Sequence, residues 1–383
     1  MKTIYMDYSA TTPMKPEVIE VMTDAFKHHY GNASSIHHIG QEAKVLLQQA
    51  REQVAQLIGA EAREIFFTAG GTESDNWAIQ IALETKPGKH IITTNVEHHA
   101  VLHPLEALEK KGYRVTYLPV DEYGMVTPEQ VEEAIEEDTI LISVMYINNE
   151  IGSINPVEQI AEVAAKHGIL FHTDGVQALG NTPIDMSTNK ISMMSMSSHK
   201  IYGPKGVGAL YIRKGVRTVP LIHGGAQERK VRAGTENIPG ILGFAKAAEL
   251  AGASLDQHIE KLSRLRDKLR DGIMNNISDA KYNGHPVLRH PGNVNICFKY
   301  IEGESLLLLL DMKGICASSG SACTSGSLDP SHVLMNIGLT HEIAHGSLRL
   351  TLGDFTTEQD VDTVIEEIKP IVERLREMSP LTE

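Results

Sequence analysis

The chain has 383 residues, with 49 acidic against 35 basic side chains and a formal net charge of −14 at neutral pH. That balance argues against a dedicated nucleic-acid binder, which concentrates Lys and Arg to displace counterions from phosphates. With 42% hydrophobic residues and 32 glycines the composition is globular rather than disordered or membrane-embedded, and the length favours two domains over one.

Three cysteines, Cys297, Cys316 and Cys323, are too few and too odd in number for a disulfide scaffold, and their spacing fits no zinc pattern. A reducing compartment follows, and with it a cytoplasmic location. Lys2, Asp7, Lys15, Glu17, Glu20 and Asp24 interrupt any apolar stretch able to serve as a signal sequence. The leucine run from Leu306 to Leu310 is too short to span a bilayer.

In chain order, Leu47, Ala50, Val54, Leu57 and Ile58 repeat at helical spacing within 41–58, and Gly59 follows where a helix often stops. Strands are expected at 64–68, 90–94, 114–118, 139–145, 169–173 and 191–195, separated mostly by helical segments; a helix opens near Thr72. This alternation predicts a mostly parallel sheet covered on both faces. Residues 206–212 form another strand with no room for a crossover helix, so an antiparallel neighbour is expected. A long charged helix over about 243–274 leads to a second unit. That unit has a strand at 293–298, a helix over the leucine run, a Ser/Gly-rich loop and a strand at 347–352. Thr356 and Gln359 form a capping-box pair for the last helix, whose apolar face includes Val361, Val364, Ile368 and Val372, with Pro370 expected to kink it.

Three constellations carry possible chemistry. Thr68-Ala-Gly-Gly-Thr-Glu-Ser74 joins a strand to a helix, where close backbone approach and a helix N-terminus suit a phosphate; taken alone, such glycines are as well explained by sterics. Asp174 ends a predicted buried strand, where an acid can meet a cationic ring nitrogen or simply cap the next turn. Lys200, in Ser197-Ser-His-Lys200, can form a Schiff base if held in a polar pocket, or stand as a solvated loop lysine. Together, on successive strands, they are the parts needed to hold pyridoxal phosphate.

At this point the chain resembles a cysteine desulfurase of the NifS/IscS kind, in the class V aminotransferase group of fold-type I pyridoxal-phosphate enzymes. The resemblance runs nearly end to end, through Asp7-Tyr-Ser-Ala-Thr-Thr-Pro13, Gly31-Asn-Ala-Ser-Ser35, Gly71-Thr-Glu-Ser-Asp-Asn76, Glu97-His98, Asn148-Asn-Glu-Ile-Gly152, Ser198-His-Lys-Ile-Tyr-Gly-Pro-Lys205, Arg232-Ala-Gly-Thr235, Ser318-Ser-Gly-Ser-Ala-Cys323 and Arg349. It implies an α/β fold: a mostly parallel seven-stranded sheet with helices on both faces, plus a smaller α+β domain. A large cofactor domain over 15–250 and a small one over 1–14 and 251–383, bearing the cysteine loop 318–328, are expected. So is a homodimer.

By the same resemblance Lys200 carries the cofactor, Asp174 pairs with its ring nitrogen, and Gln177 and Asn149 sit near its hydroxyl. Gly71, Thr72, Ser197 and His199 hold the phosphate, with Thr235 reaching in from a second subunit. His98 stacks on the ring and moves protons, while Arg349 and Asn32 bind the substrate carboxylate. Cys323 sits among Ser and Gly with little to anchor it, which makes it a better nucleophile than a core residue; Cys297 and Cys316 lie in strand-like apolar contexts and read as packing residues. The implied reaction takes L-cysteine to L-alanine, the Cys323 thiolate receiving the sulfur as a persulfide. The acceptor stays open between an iron–sulfur scaffold protein and a tRNA-thiolation enzyme. A selenocysteine lyase, a cysteine-sulfinate desulfinase or a class V aminotransferase are the neighbouring readings; the Ser/Gly-rich stretch favours the desulfurase. His341-Glu-Ile-Ala-His345 matches a zinc-protease pattern, but the strand that follows at once leaves little helix and no third ligand, so no metal is expected.

Overall fold

The structure, a computed structural model, describes residues 2–319 and 330–379. Cys323 and most of the expected loop 318–328 lie outside the described residues.

Among the described residues the strands are β1 Ile4–Tyr5, β2 Ile65–Thr68, β3 His90–Thr94, β4 Arg114–Leu118, β5 Thr139–Ser143, β6 Leu170–Asp174, β7 Met193–Ser197, β8 Gly208–Ile212, β9 Ala280–Tyr282, β10 Asn293–Phe298, β11 Ile315–Cys316 and β12 Ser347–Thr351. Seven of them form one sheet in the order β2-β8-β7-β6-β5-β3-β4. Only β8 runs antiparallel, to both β2 and β7; the pairs β7–β6, β6–β5, β5–β3 and β3–β4 are parallel. The α/β class and the antiparallel strand are thus as expected.

β3, β5, β6, β7 and β8 are buried along their whole length, which is what helices on both faces impose. The buried His90 ring is satisfied within the sheet, 2.7 Å from Thr139 Oγ1 and 2.8 Å from Thr116 Oγ1. One face packs on the helices Pro16–His28 and His38–Leu57 and the start of Ile238–Met274. The other packs on Gly71–Thr85, through Trp77 and Ile81, and on His99–Glu109. A further core joins Leu262 to Ile273 of the long helix with β10, β12 and the helices Gly303–Met312 and Glu358–Met378. β12, β10 and β9 make a three-stranded antiparallel sheet there, and β1 pairs in parallel with β11.

Some local expectations are corrected. β7 begins two residues later than the expected 191, because Ile191 N bonds to Asn189 Oδ1 instead of a strand neighbour. Glu64 is not in β2 but closes a capping box with Glu61. The last helix is capped by Thr357 and Asp360, not Thr356 and Gln359: Thr357 Oγ1 accepts from Asp360 N at 3.2 Å, Asp360 Oδ2 accepts from Thr357 N at 3.0 Å, and Thr356 Oγ1 is used by Gly353 N. Pro370 lies inside that helix without ending it. No helix among the described residues is long and apolar enough to cross a membrane.

Candidate active site

In open α/β sheets ligands bind beyond the carboxyl ends of the strands. Here those ends, with the N-terminal segment and β12, enclose a cavity of about 290 Å³ lined by Gly71, Thr72, His98, Asn149, Asp174, Gln177, Ser197, His199, Lys200 and Arg349 among others. Ten of the twelve expected site residues within the described part therefore meet at one place.

Each is placed by local structure. Asp174 is the last residue of β6, and its Oδ1 accepts from Val176 N at 3.0 Å, fixing the turn that follows. Burial raises its carboxyl pKa, with His98 and Lys200 opposing. Lys200 follows β7 in a short 3₁₀ turn; its Nζ donates to the carbonyls of Ser9 and, at 2.8 Å, Ala10. Gln177 Nε2 donates to the same Ser9 carbonyl at 3.0 Å. The N-terminal segment is thus a wall of the cavity.

Gly70 precedes the helix Gly71–Thr85 at φ 156°, a conformation that disfavours any side chain. At Gly71 a Cβ would lie 2.8 Å from Val176 Cγ2, so the backbone comes closer to the cavity turn than any other residue allows. The helix N-terminus, Thr72, Ser197 and His199 therefore face the same cavity. His199 Nδ1 is 3.1 Å from Thr11 Oγ1, and burial with the nearby Lys200 and Lys205 charges depresses its pKa to about 4. It is neutral.

His98 caps the helix His99–Glu109, its Nδ1 accepting from Ala100 N at 3.1 Å. The neutral ring consequently carries its proton on Nε2. Burial lowers its pKa, Lys200 and the neighbouring His99 and His332 adding to the effect and Asp174 opposing it. Arg349, in β12, is fully buried; Nη2 pairs with Asp7 Oδ1 at 3.0 Å and Nη1 donates to the Asn149 carbonyl at 3.0 Å.

Asn32 and Thr235 do not line this cavity. Asn32 is exposed in the loop before His38–Leu57, its Oδ1 engaged by Ser34 N at 2.9 Å. Thr235 lines a separate pocket with Arg232 and Glu228. Of the other cysteines, Cys297 is buried as expected and Cys316 half-buried.

The sequence reading gave no role to three buried carboxyls around the cavity. Asp75 lines it, and burial beside Asp174 raises its pKa well above the ordinary carboxylate range. Burial pushes Glu97 up to about 8 and Glu150 up to about 7. All three lie inside quoted motifs, so the signal was present without a local pattern to separate a structural acid from a reacting one.

The family described as Aminotransferase class-V matches residues 4–364. A cysteine desulfurase IscS of Methanosarcina thermophila is 56% identical over 383 residues, covering 100% of this chain and 95% of that protein. One of Dictyoglomus turgidum is 51% identical, covering 98% and 96%. Among solved structures, a NifS-like protein superposes with a TM-score of 0.91 at 39% identity, over 98% of this chain and 100% of that one. SspA in complex with cysteine superposes with a TM-score of 0.82 at 36% identity, over 93% and 100%. The chain belongs to the class-V aminotransferase family, within its branch of pyridoxal-phosphate-dependent cysteine desulfurases.

Proposed function

We propose that the cavity is where this cysteine desulfurase converts L-cysteine to L-alanine and hands the sulfur to Cys323. The observation that carries the reading is the convergence, in one enclosed space, of the Lys200 amine, the buried Asp174 carboxyl, a helix N-terminus and the buried Arg349 guanidinium. Pyridoxal phosphate fits this set: at Gly70 a Cβ would meet nothing nearer than Ser197 Oγ at 4.0 Å, which leaves backbone room for a phosphate, and Asp174 is a buried carboxyl for which a ring N–H would supply a counter-charge. When bound, that cofactor supplies an electron sink that acidifies the substrate Cα–H.

The protein's side chains do the rest. Asp174 would accept the hydrogen bond of the ring nitrogen and keep it protonated. Gly71, Thr72, Ser197 and His199 would hold the phosphate, and Gln177 and Asn149 would flank the ring hydroxyl. Arg349, its plane set by Asp7 and the Asn149 carbonyl, takes the substrate carboxylate. Lys200 removes the Cα proton. His98, neutral with its proton on Nε2, would stand over the cofactor ring and move the thiol proton. The Cys323 thiolate attacks the substrate sulfur, an S–S bond forms, and the electron pair of the broken C–S bond returns to the substrate carbon.

The larger unit, 15–250, and the smaller, 1–14 with 251–383, both supply residues to this site. A homodimer is supported by Phe26, Tyr30 and Ile36, apolar and 69%, 75% and 95% exposed near Asn32 in sequence, and by Thr235 standing outside its own chain's cavity. The setting is cytoplasmic, and the acceptor is an iron–sulfur scaffold or a tRNA-thiolation enzyme. The charge of −14 favours a protein acceptor over nucleic acid itself.

The purified protein, given L-cysteine and a reductant, is expected to release alanine and sulfide. Lys200→Ala should abolish both, and Cys323→Ser should abolish sulfide. Undiminished sulfide from Cys323→Ser would sink the persulfide step; no alanine from the wild type would sink the activity.

A further inference from the structure

The 37-residue helix Ile238–Met274 serves two cores, the first through Ile238 to Ala248 and the second through Leu262 to Ile273. His258 lies in the joint between them, its side chain 9% exposed. Nδ1 stands 2.6 Å from Asp354 Oδ1 and Nε2 stands 3.0 Å from Asn181 Oδ1. Asp354 is ionised: burial alone would raise its pKa, but the hydrogen bonds and charges of His258 and Lys15 outweigh that and bring it down to about 2. Lys15 Nζ reaches its Oδ2 at 2.6 Å. Nδ1 therefore faces a pure acceptor and must carry a proton.

The Asn181 amide cannot be turned round to change the other end. Its Nδ2 donates to the carbonyls of Gln177 at 3.2 Å and Leu179 at 3.4 Å, so the group facing Nε2 is the amide oxygen, again an acceptor only. A neutral imidazole has one N–H and this site demands two. We infer that His258 is an imidazolium locked between Asp354 and Asn181, and that it is a positioning residue for the turn carrying Asp174 and Gln177 under the cofactor.

The route is short. Ala178 and Leu179 fold back onto the Gly175 carbonyl, Asn181 closes the turn on Gln177, and Gln177 Nε2 shares the Ser9 carbonyl with Lys200 Nζ. A cavity of about 20 Å³, room for about one water, lies among His258, Lys15, Asp354, Gln177 and Lys200. The other charged or titratable groups around the ring are Lys261, whose Nζ donates to the Asp354 carbonyl at 2.6 Å, Tyr202, whose hydroxyl accepts from Asp354 N at 2.7 Å, Tyr8 and His290. Burial, with His258 and two arginines, depresses the His290 pKa to about 3, so it is neutral.

The effect on catalysis rests on the cofactor reading of the main cavity; the protonation state does not. Two measurements separate them. In holoenzyme carrying ¹⁵N-histidine, the ring signals lost in His258→Gln should show both nitrogens protonated near neutral pH, and in Asp354→Asn only one. A single N–H on wild-type His258 would overturn the inference. In His258→Gln, with folding checked by thermal unfolding, cofactor should dissociate about tenfold faster and kcat fall about tenfold at unchanged KM for L-cysteine, the worth of one charge-assisted hydrogen bond. His258→Lys, which restores a cationic donor, should recover most of both. A folded His258→Gln protein that holds cofactor and turns over like wild type would overturn the positioning role. If His258→Gln does not fold, the ring signals are assigned with His258→Lys and the NMR result still decides. A wild type that binds no cofactor would instead overturn the cavity's assignment.

Discussion

Arg349 Nη2 and Asp7 Oδ1, 342 positions apart in sequence, meet at 3.0 Å at the wall of the cavity. The guanidinium is almost wholly buried and the carboxylate mostly so. The same N-terminal segment is tied to β12 again where Ser9 N donates to Thr351 Oγ1 at 2.9 Å. Substrate carboxylate binding is therefore coupled to how the first dozen residues are held. Arg349→Lys, which keeps the charge but loses the planar fork, should raise KM for L-cysteine about 10- to 100-fold, the worth of a charge-assisted pair. Asp7→Asn should raise it less, with kcat nearly kept. Steady-state kinetics decide the matter: an Arg349→Lys enzyme with wild-type KM would place the carboxylate elsewhere.

Glu97 gives a prediction in pH. Its Oε1 accepts from Thr94 Oγ1 at 2.7 Å and from Met145 N at 3.0 Å, while Oε2 has no hydrogen-bond partner among the described residues. Burial raises its pKa from 4.5 to about 8. Between those values the folded protein keeps a proton that the unfolded chain has lost, so this residue's contribution falls as pH rises through the window and levels off above the folded value. The slope is roughly 1.4 kcal/mol per unit of displacement. Glu97→Gln keeps both acceptor bonds to Oε1 and removes the titration. Urea unfolding at several pH values should show the variant gaining on the wild type from mildly acid to mildly alkaline conditions; parallel curves would mean that Glu97 is ionised when folded.

The large sheet was legible because its strands state their environment locally. His90–Thr94, Arg114–Leu118 and Asn293–Phe298 begin and end where the β-branched runs do. β1 and β11 were not legible, since each is two residues long and exists only by pairing with the other across the length of the chain. The same distinction divides the site. Lys200, Asp174 and Gly71 sit at strand ends in recognisable motifs, and the fold gathers them. Asp7 owes its place to Arg349, and His258 to Asn181 and Asp354, partners no sequence spacing brings together. Cap positions shifted by one residue, from Thr356 to Thr357, because two adjacent threonines offer the same chemistry and only the Gly353 turn distinguishes them.

The cysteines should separate by reactivity. Cys297 is buried, and desolvation raises its thiol pKa to about 12 despite a hydrogen bond from Asn283 Nδ2 at 3.2 Å. Burial, followed by the charges of Asp311 and Asp7, also raises Cys316. Thiolate is the reactive form, so both should resist alkylation of the folded protein at mildly alkaline pH. Mass mapping after brief iodoacetamide treatment should find the label on Cys323 first. Rapid labelling of Cys297 in folded protein would contradict its burial.

Arg51 and Glu228 test how the phosphate side of the cavity is held. They form a buried two-pronged pair, both contacts 2.8 Å. Glu228 Oε2 also accepts from Phe67 N at 3.1 Å, and Arg51 donates to the Ile65 carbonyl at 2.6 Å. The pair thus secures β2, the strand that leads to Gly70. Glu228, Arg229 and Lys230 have φ of 43°, 58° and 73°, a run of left-handed residues with no glycine; such strain persists only when the surroundings hold it. Arg51→Met should cost about 3–5 kcal/mol, because it leaves the carboxylate buried and uncompensated. Adding Glu228→Gln removes the stranded charge while keeping an acceptor for Phe67 N, and should recover at least half of that loss. Urea unfolding of the two variants provides the comparison. A double variant no more stable than Arg51→Met would show that the salt bridge, rather than relief of a stranded charge, holds this stretch.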